Sequence, residues 1–296
     1  MIENKLVKKD SEFKEWLSGI PYELAFWNNV FRWTSTFNSM MRWSRYNKNL
    51  ELDGMDVSVL LKDSENPIVL DIGCGLSFAN GDRLSIGGEE KKIDVHYIDP
   101  LADFYNVINR RHKRHLPNIE FGIMEHISST WNCSDVTLCI ICNALDHSSS
   151  PIKGIMEALK VLKIGGRLYL NHHPNEAETE NYKGFHKFNI CIDEQKRLII
   201  WNRQERVIVN DLLAGYAEIE TKTLDNGFVV AIITKIADIP NNTGQEYNTE
   251  HLRSLIQATS NTLSFKIKYQ WYNIIQFFVQ SLSWDKKQKL KRLIKV

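Results

Sequence analysis

The stretch Pro67-Ile-Val-Leu-Asp-Ile-Gly-Cys-Gly75 decides the fold. The residues after Pro67 are apolar and β-branched, as in a buried strand of a parallel sheet. Asp71 then precedes a turn that carries Gly73 and Gly75. Glycines let the backbone approach a ligand at the carboxyl end of a strand, where open α/β sheets bind their ligands. The stretch therefore predicts a ligand site over Asp71 to Gly75.

A second strand supports this interpretation. Val95-His-Tyr-Ile-Asp99 also ends in a carboxylate, from which both hydroxyls of a ribose can be held. The two strands together predict a cofactor that contains a nucleoside. A dinucleotide fingerprint would need a small residue at position 78, where the chain has Phe78, so a pyrophosphate would lose its close helix packing.

The pattern around these strands predicts the fold class. From Pro67 to about Ile236, short β-branched runs alternate with helix-like segments, which is typical of an α/β fold with a doubly wound, mostly parallel seven-stranded sheet and an antiparallel edge strand. Predicted strands are Ile68 to Asp71, Asp94 to Ile98, Ile119 to Ile123, Val136 to Cys142, Arg167 to Asn171, Ala217 to Thr223 and Phe228 to Lys235. Predicted helices are Leu101 to Lys113 and Pro151 to Leu162, the second stopped by Gly165-Gly166.

Three consecutive zones are predicted along the chain. Residues 1–61 form an N-terminal helical region, 62–238 form the α/β domain, and 239–296 form a basic and aromatic helical extension. A hairpin insertion is expected near 186–202, where two β-branched runs flank a polar turn.

Composition excludes several classes of protein. Lys and Arg number 37 against 36 Asp and Glu, so the net charge of +1 gives no long-range attraction for nucleic acid. The five cysteines are odd in number and indicate reduced thiols. The chain begins without an apolar signal region and has no apolar run of membrane-spanning length. We therefore expect a cytoplasmic location, with the inner face of the membrane as the alternative.

Four motifs resemble class I S-adenosylmethionine-dependent methyltransferases. The V-L-D-I-G-C-G string resembles their first motif and Asp99-Pro100 their second. Ile140-Cys-Asn-Ala-Leu-Asp-His147 is similar to the fourth, and Leu162-Lys-Ile-Gly-Gly-Arg-Leu168 to the signature after the next helix. They span roughly 66–236 in the family's order. The resemblance implies a Rossmann-like fold, S-adenosylmethionine as cofactor and methyl transfer as activity.

The chain departs from the family pattern at one place that bears on the cofactor. Ser77 stands at the usual third glycine, and Leu76 to Gly88 is polar rather than cleanly amphipathic. The loop over the methionine tail is therefore expected to be unusual.

The resemblance implies seven cofactor-binding residues: Asp71, Gly73, Gly75, Asp99, Leu101, Glu125 and Asn143. The two glycines would lie against the methionine portion, with Asp71 and the Asn143 carbonyl near its ammonium. Asp99 would hold the ribose, while Leu101 and Glu125 would lie at the adenine.

A hydroxyl acceptor would need a base that removes its proton. The candidates follow the fourth and fifth strands and are His147, His186, His173, Asp146 and Glu176. His147 or His186 is the expected base. Asp146, His147, His173 and Glu176 could also converge on a divalent metal, but spacing alone assigns none.

Two strings resemble a narrower bacterial group of these enzymes that accompanies surface-polysaccharide biosynthesis. They are N-A-L-D-H-S, from Asn143, and E-A-E-x-E-N-Y-x-G-F-H-x-F-N, from Glu176. The resemblance implies O-methylation of a sugar hydroxyl in an envelope glycan or its precursor. Nucleic acid is not expected as the acceptor, because the adenine-methyltransferase motif is absent after the fourth strand.

Two alternatives remain open. One is methylation of a small metabolite at oxygen, nitrogen or carbon. The other is a methyltransferase fold that only binds, although Asp71, Gly73, Gly75 and Asp99 are all present.

Residues 265–296 combine aromatic residues with a basic end. A helix docked on the catalytic domain is the favoured interpretation. The alternative is an interfacial anchor that makes peripheral contact with anionic lipid. The sequence predicts no oligomeric state.

Overall fold

The computed structural model describes residues 2–42, 44–61, 66–86, 89–131, 134–182, 184–240, 249–282 and 286. The chain forms two compact units. The helical unit comprises residues 1–43, 103–117 and 254–296, and the sheet unit comprises 44–102 and 118–253. The helical unit is therefore assembled from segments that are not consecutive in the sequence.

The strands and helices follow in chain order. The strands are β1 (Ile68–Ile72), β2 (Arg83–Ile86), β3 (Glu89–Lys92), β4 (Asp94–Asp99), β5 (Glu120–Phe121), β6 (Val136–Cys142), β7 (Leu162–His172), β8 (Asn189–Ile192), β9 (Leu198–Trp201), β10 (Arg206–Ile208), β11 (Ala217–Thr223) and β12 (Val229–Lys235). The helices are α1 (Ile2–Arg32), α2 (Thr34–Met41), α3 (Val57–Leu61), α4 (Ala102–Arg111), α5 (Ile127–Thr130), α6 (Pro151–Val161), α7 (Glu176–Thr179), α8 (Val209–Leu212), α9 (Thr249–Asn261) and α10 (Leu263–Ser281). Two 3₁₀ turns lie at Met124–His126 and Leu145–His147.

The main sheet has seven strands in the order β11-β12-β7-β6-β1-β4-β5. Strands β7, β6, β1, β4 and β5 are parallel, and β12 is antiparallel to both of its neighbours. The predicted fold class is therefore confirmed. The reversed strand lies one place inside the edge, because the tight turn before β12 returns the chain between β11 and β7.

Both faces of this sheet are covered, which accounts for its apolar strands. Leu138 and Ile140 of β6 join a hydrophobic cluster with Leu61 of α3. Cys139 and Ile141 join another cluster, which includes residues of α6. Successive residues of a strand point to opposite faces, so a strand buried on both sides is a continuous apolar run.

The glycine pair after α6 does not stop the helix. α6 ends at Val161 and β7 begins at the next residue, so Gly165 and Gly166 lie within the strand. The pairing of β7 with β6 shifts register here, which indicates a bulge. Gly165 has φ +79°, a conformation that suits glycine. Strand β5 is also shorter than predicted.

The segment after the first strand contains a hairpin in place of a helix. Residues 73–82 are turns and bends, and β2 then pairs antiparallel with β3. Phe78 is fully buried, with φ +47° and its ring centroid 5.0 Å from that of Tyr97. No helix therefore begins within residues 73–82.

The predicted insertion near 186–202 is a small sheet of its own. β8 and β9 form the expected hairpin, and β10 adds a third antiparallel strand. The Asp193 carboxylate accepts hydrogen bonds from the backbone of Gln195 and Arg197 and closes the turn between β8 and β9.

In the helical unit, α1 packs along α10. The side chains of Asn28 and Asn29 both donate to Oδ1 of Asn273, and the Trp33 ring lies 5.1 Å from that of Phe277. The N-terminal aromatic residues are thus partly explained as a helix interface. Among the described residues, no helix is long and apolar enough to cross a membrane.

Candidate active site

The turn after β1 has the left-handed backbone that its glycines permit. Gly73 has φ +72° and Gly75 has φ +54°. The backbone nitrogens of Gly73 and Cys74 donate to the carbonyl of Ile98, at 2.8 and 3.2 Å. A Cβ on Gly73 would lie 2.6 Å from Cβ of Ala144. The turn is therefore packed directly against the loop that follows β6.

Asp99 connects this turn to the start of α4. Its Oδ2 accepts a hydrogen bond from the Gly75 backbone at 3.1 Å, and its Oδ1 accepts one from the Leu101 backbone at 2.8 Å. Each carboxylate oxygen can accept more than one hydrogen bond, so both can also receive hydroxyl donors. The Leu101 side chain is buried beside it in the sheet unit.

Asp71 is buried with one oxygen unsatisfied. Its side chain is almost fully enclosed, and Oδ2 has no hydrogen-bond partner among the described residues. Burial raises the pKa of this carboxyl to about 7, and the Asn80 side chain limits the rise. A cation placed against Asp71 would supply the missing partner.

Two other residues assigned to the cofactor have partners within the protein. Oε1 of Glu125 accepts hydrogen bonds from Ser149 and Ser150, and so fixes the chain that enters α6. Asn143 has φ +50°, and its Oδ1 accepts from the His173 backbone at 3.3 Å. These contacts give Glu125 and Asn143 structural roles beside the ones that the resemblance implies.

Three predicted catalytic residues meet at one point. Asp146 and His147 lie on the 3₁₀ turn after β6, and His186 lies in the loop before β8. Nδ1 of His186 is 2.8 Å from Oδ2 of Asp146 and 3.1 Å from Nε2 of His147. The third side of the triangle, from Nε2 of His147 to Oδ2 of Asp146, is 3.5 Å. We call these three residues the Asp-His-His cluster.

The charges in this cluster stabilise one another. Burial by itself would raise the pKa of Asp146. The charge of His147 and the hydrogen bond from His186 outweigh this effect and lower the pKa to about 2. Burial likewise opposes the charged imidazole of His186, yet the Asp146 carboxylate raises its pKa above the ordinary value. Asp146 is nearly enclosed, whereas both imidazoles are partly exposed.

Three more titratable groups surround the cluster. His172 is buried, neither ring nitrogen has a partner among the described residues, and burial lowers its pKa to about 4. Burial and the Asp146 charge raise the pKa of Glu176. His173 is exposed, and its ring lies 4.0 Å from that of Phe228.

The structure changes the composition of the group that could hold a metal. Asp146, His147 and His186 converge closely enough for a metal ion, whereas His173 lies outside the triangle. β7 ends at His172, whose side chain is buried, and His173 is the first residue of the following loop, with an exposed side chain. Sequence reasoning did not assign His172 to the site.

The two groups of residues share one edge of the sheet. Asp71 and Asp99 lie at the carboxyl ends of β1 and β4, and the Asp-His-His cluster follows β6 and β7. These four strands are neighbours and parallel. Both groups therefore lie at the same carboxyl-end edge of the sheet, one acidic and glycine-lined and the other histidine-rich.

No model of a protein family matches this chain, and no curated protein matches it. Among solved structures, it is similar to an S-adenosylmethionine-dependent methyltransferase of Aquifex aeolicus, with 16% identity, 61% of this chain and 89% of that chain covered, and a TM-score of 0.35. It is also similar to an rRNA methylase of Streptococcus thermophilus, with 12% identity, 63% and 100% covered, and a TM-score of 0.36. Likenesses at these values identify neither cofactor nor substrate, so the assignment of a function rests on the geometry of the site.

Proposed function

We propose that this protein is an S-adenosylmethionine-dependent methyltransferase. The observation that carries the proposal is the contact between the two halves of the site, where Gly73 leaves no room for a Cβ against Ala144. Ala144 is two residues before Asp146. A ligand held over the glycine turn would therefore lie beside the Asp-His-His cluster.

The glycine-lined half fits the cofactor. Asp71 offers an unsatisfied, buried carboxylate oxygen to an ammonium group. Asp99 accepts hydrogen bonds from the backbone of Gly75 and of Leu101, which fixes its carboxylate at the end of β4, the position from which an acid can hold ribose hydroxyls. The left-handed turn lets the backbone come close to the methionine portion.

The histidine-rich half fits the acceptor chemistry. When bound, S-adenosylmethionine supplies a methyl group on a positively charged sulfur. The chain must orient a nucleophile in line with that bond and take up its proton. His147, positioned by the Asp146–His186 pair, is the residue we assign to remove the proton from a hydroxyl acceptor.

We extend the proposal to a sugar hydroxyl in an envelope glycan or its precursor as the acceptor. Two features support it: imidazole is a suitable base for a hydroxyl, and the N-A-L-D-H-S string has the resemblance described above. A small metabolite is the alternative acceptor.

The exposed face of α10 supports a second proposal, contact with an anionic membrane surface. Apolar side chains stand out of this helix at helical spacing, and Trp271 and Phe278 are each 62% exposed. The exposed set is Leu263, Ile267, Trp271, Ile274, Ile275 and Phe278. We call it the α10 stripe. Contiguous exposed apolar surface of this kind marks an interaction site.

The basic residues that follow the α10 stripe favour an anionic partner. The sequence after α10 carries Lys286, Lys287, Lys289, Lys291, Arg292 and Lys295 against Asp285 alone. Of this basic segment, only Lys286 is among the described residues. Basic residues near an anionic bilayer contribute about 1 kcal/mol each, while an apolar face can enter the headgroup boundary. Such contact would bring the enzyme to a lipid-linked acceptor.

Release of S-adenosylhomocysteine from the full chain tests the function. The panel contains nucleotide sugars, lipid-linked glycans, small hydroxylated metabolites and RNA. We expect turnover with a sugar-bearing acceptor, and turnover with metabolites or RNA alone would contradict the sugar assignment. Calorimetry with S-adenosylmethionine covers the remaining alternative, since cofactor binding without turnover on any acceptor would indicate a binding subunit.

A further inference from the structure

Three possible ligand atoms of the Asp-His-His cluster lie close together: Oδ2 of Asp146, Nε2 of His147 and Nδ1 of His186. A hydrogen on Nδ1 of His186 can point at Oδ2 of Asp146 or at Nε2 of His147, but not directly at both. If that hydrogen is absent, the carboxylate oxygen faces a nitrogen lone pair at 2.8 Å. A cation at the centre of the triangle would satisfy all three atoms.

The dimensions of the triangle suit a metal ion. Ligands at about 2.1 Å from a metal lie roughly 3.0 Å apart in an octahedral site and roughly 3.4 Å apart in a tetrahedral one. The three sides measure 2.8, 3.1 and 3.5 Å. The atoms therefore already stand at the spacing that adjacent ligands require.

The surroundings supply what a metal site needs beyond three ligands. Oδ1 of Asp146 and Oε2 of Glu176 are buried and have no hydrogen-bond partner among the described residues. Asp146 is nine-tenths buried or more, so its unsatisfied oxygen is a second sign of a missing ligand. The partly exposed imidazoles leave the outer side of the triangle open to water or to an acceptor oxygen.

We propose that Asp146, His147 and His186 bind a divalent transition-metal ion. Two imidazoles and one carboxylate favour zinc, iron, cobalt or manganese over magnesium and calcium, which prefer oxygen ligands throughout. The consequence for catalysis rests on the proposed function. In the metal-loaded protein, His147 would hold the ion, and the ion's charge would lower the pKa of an acceptor hydroxyl bound to it, so that the hydroxyl proton passes to solvent water at the open side of the triangle. His147 would act as the base only in the metal-free protein.

Titration of the full chain with Zn²⁺ and Co²⁺, after treatment with a chelator, tests the site. Calorimetry reports stoichiometry, and the visible absorption of Co²⁺ reports ligand number. We expect one ion per chain. We expect His147→Gln, His186→Gln and Asp146→Asn each to weaken binding at least tenfold, and these near-isosteric changes are checked for folding by circular dichroism.

His96→Gln is the matched control. His96 also lies beside two carboxylates, 3.3 Å from Asp94 and 2.7 Å from Glu120, but through different ring nitrogens. Binding should be unchanged in this variant. Absence of binding by the wild type, or binding unaffected at His147 and His186, would overturn the proposal. The titration contains no S-adenosylmethionine, so failure of the methyltransferase proposal leaves its result unchanged.

Discussion

The backbone nitrogen of Gly75 lies 3.1 Å from Oδ2 of Asp99 and donates a hydrogen bond to it. The turn after β1 and the acid at the end of β4 therefore form one hydrogen-bonded unit. In the proposed site, this unit holds the two hydrogen-bonding ends of the cofactor at a fixed separation. A substitution at either residue should therefore alter the position of the other.

Asp99→Ala should weaken S-adenosylmethionine binding by about 1 to 3 kcal/mol, the cost of leaving buried hydrogen-bonding groups without partners. Calorimetry measures the change. Asp94→Ala, at the exposed start of the same strand, is the control and should bind as the wild type. Unchanged affinity in a folded Asp99→Ala protein would contradict the placement of the ribose.

Gly73→Ala should lower the melting temperature more than Gly165→Ala. Both residues have positive φ, so each substitution costs about 1 to 2 kcal/mol of backbone strain. Only at position 73 does the added methyl group meet another atom, at 2.6 Å from Cβ of Ala144. Equal losses in the two variants would contradict the close packing of the turn against that loop.

Cofactor affinity should depend on pH through Asp71. In the protein without cofactor, the carboxyl of Asp71 has a pKa of about 7. Below that pH it must lose a proton before it can pair with the ammonium group of the cofactor. Affinity should fall about tenfold for each pH unit below that value and level off above it. Calorimetry between about pH 5.5 and 7 measures this, where the ligand's ammonium stays charged.

Two controls show whether the pH dependence of cofactor binding arises from Asp71 or from another titratable group. Asp71→Asn should bind more weakly with no pH dependence in that range. The ligand 5′-methylthioadenosine lacks the ammonium, and its binding to the wild type should also be flat. A steep pH dependence in either control would assign the effect to another residue.

His147→Ala should lower kcat roughly 10²-fold or more with little change in cofactor affinity, because its proposed role is confined to the acceptor. His173→Ala is the comparison, since His173 lies outside the Asp-His-His cluster, and it should retain most activity. Full activity of His147→Ala would eliminate His147. Equal loss in both variants would contradict the distinction between the two histidines.

The double variant Trp271→Ser, Phe278→Ser should bind anionic vesicles at least tenfold more weakly, since burial of each aromatic side chain contributes about 1.5 to 3 kcal/mol. Cosedimentation at low salt measures the binding. Val107→Ser, at an exposed apolar residue of α4, is the control. If the intact protein does not bind anionic vesicles, the membrane proposal is wrong.

Point substitutions test the membrane proposal better than a truncated protein that ends before Phe265. Asn28 and Asn29 of α1 both donate to Asn273 of α10. Removal of α10 would therefore also remove these contacts with α1. Point substitutions in the stripe leave the Asn273 contacts in place, although the ring of Phe278 lies 5.5 Å from that of Phe277, which packs against Trp33.

Much of the sheet followed from local pattern. Strands β6 and β11 have the predicted bounds, because a β-branched run between turn residues fits few other structures. Asp71, Gly73, Gly75 and Asp99 could be placed at the sheet edge for the same reason: parallel strands bring their carboxyl ends together. The hairpin β2–β3 could not be predicted as such, since its polar residues carry no strong periodicity.

What the sequence by itself determined was the fold class and the residues at the ends of β1 and β4, because both depend on contacts between neighbours in the chain and on the alternation of strands. Only the tertiary structure decided which histidines meet Asp146. His186 is 40 residues away along the chain, and its loop is positioned by the small sheet that follows it. It also decided that α10 buries one face and exposes the other. Both outcomes depend on packing between distant segments, which no local pattern of residues encodes.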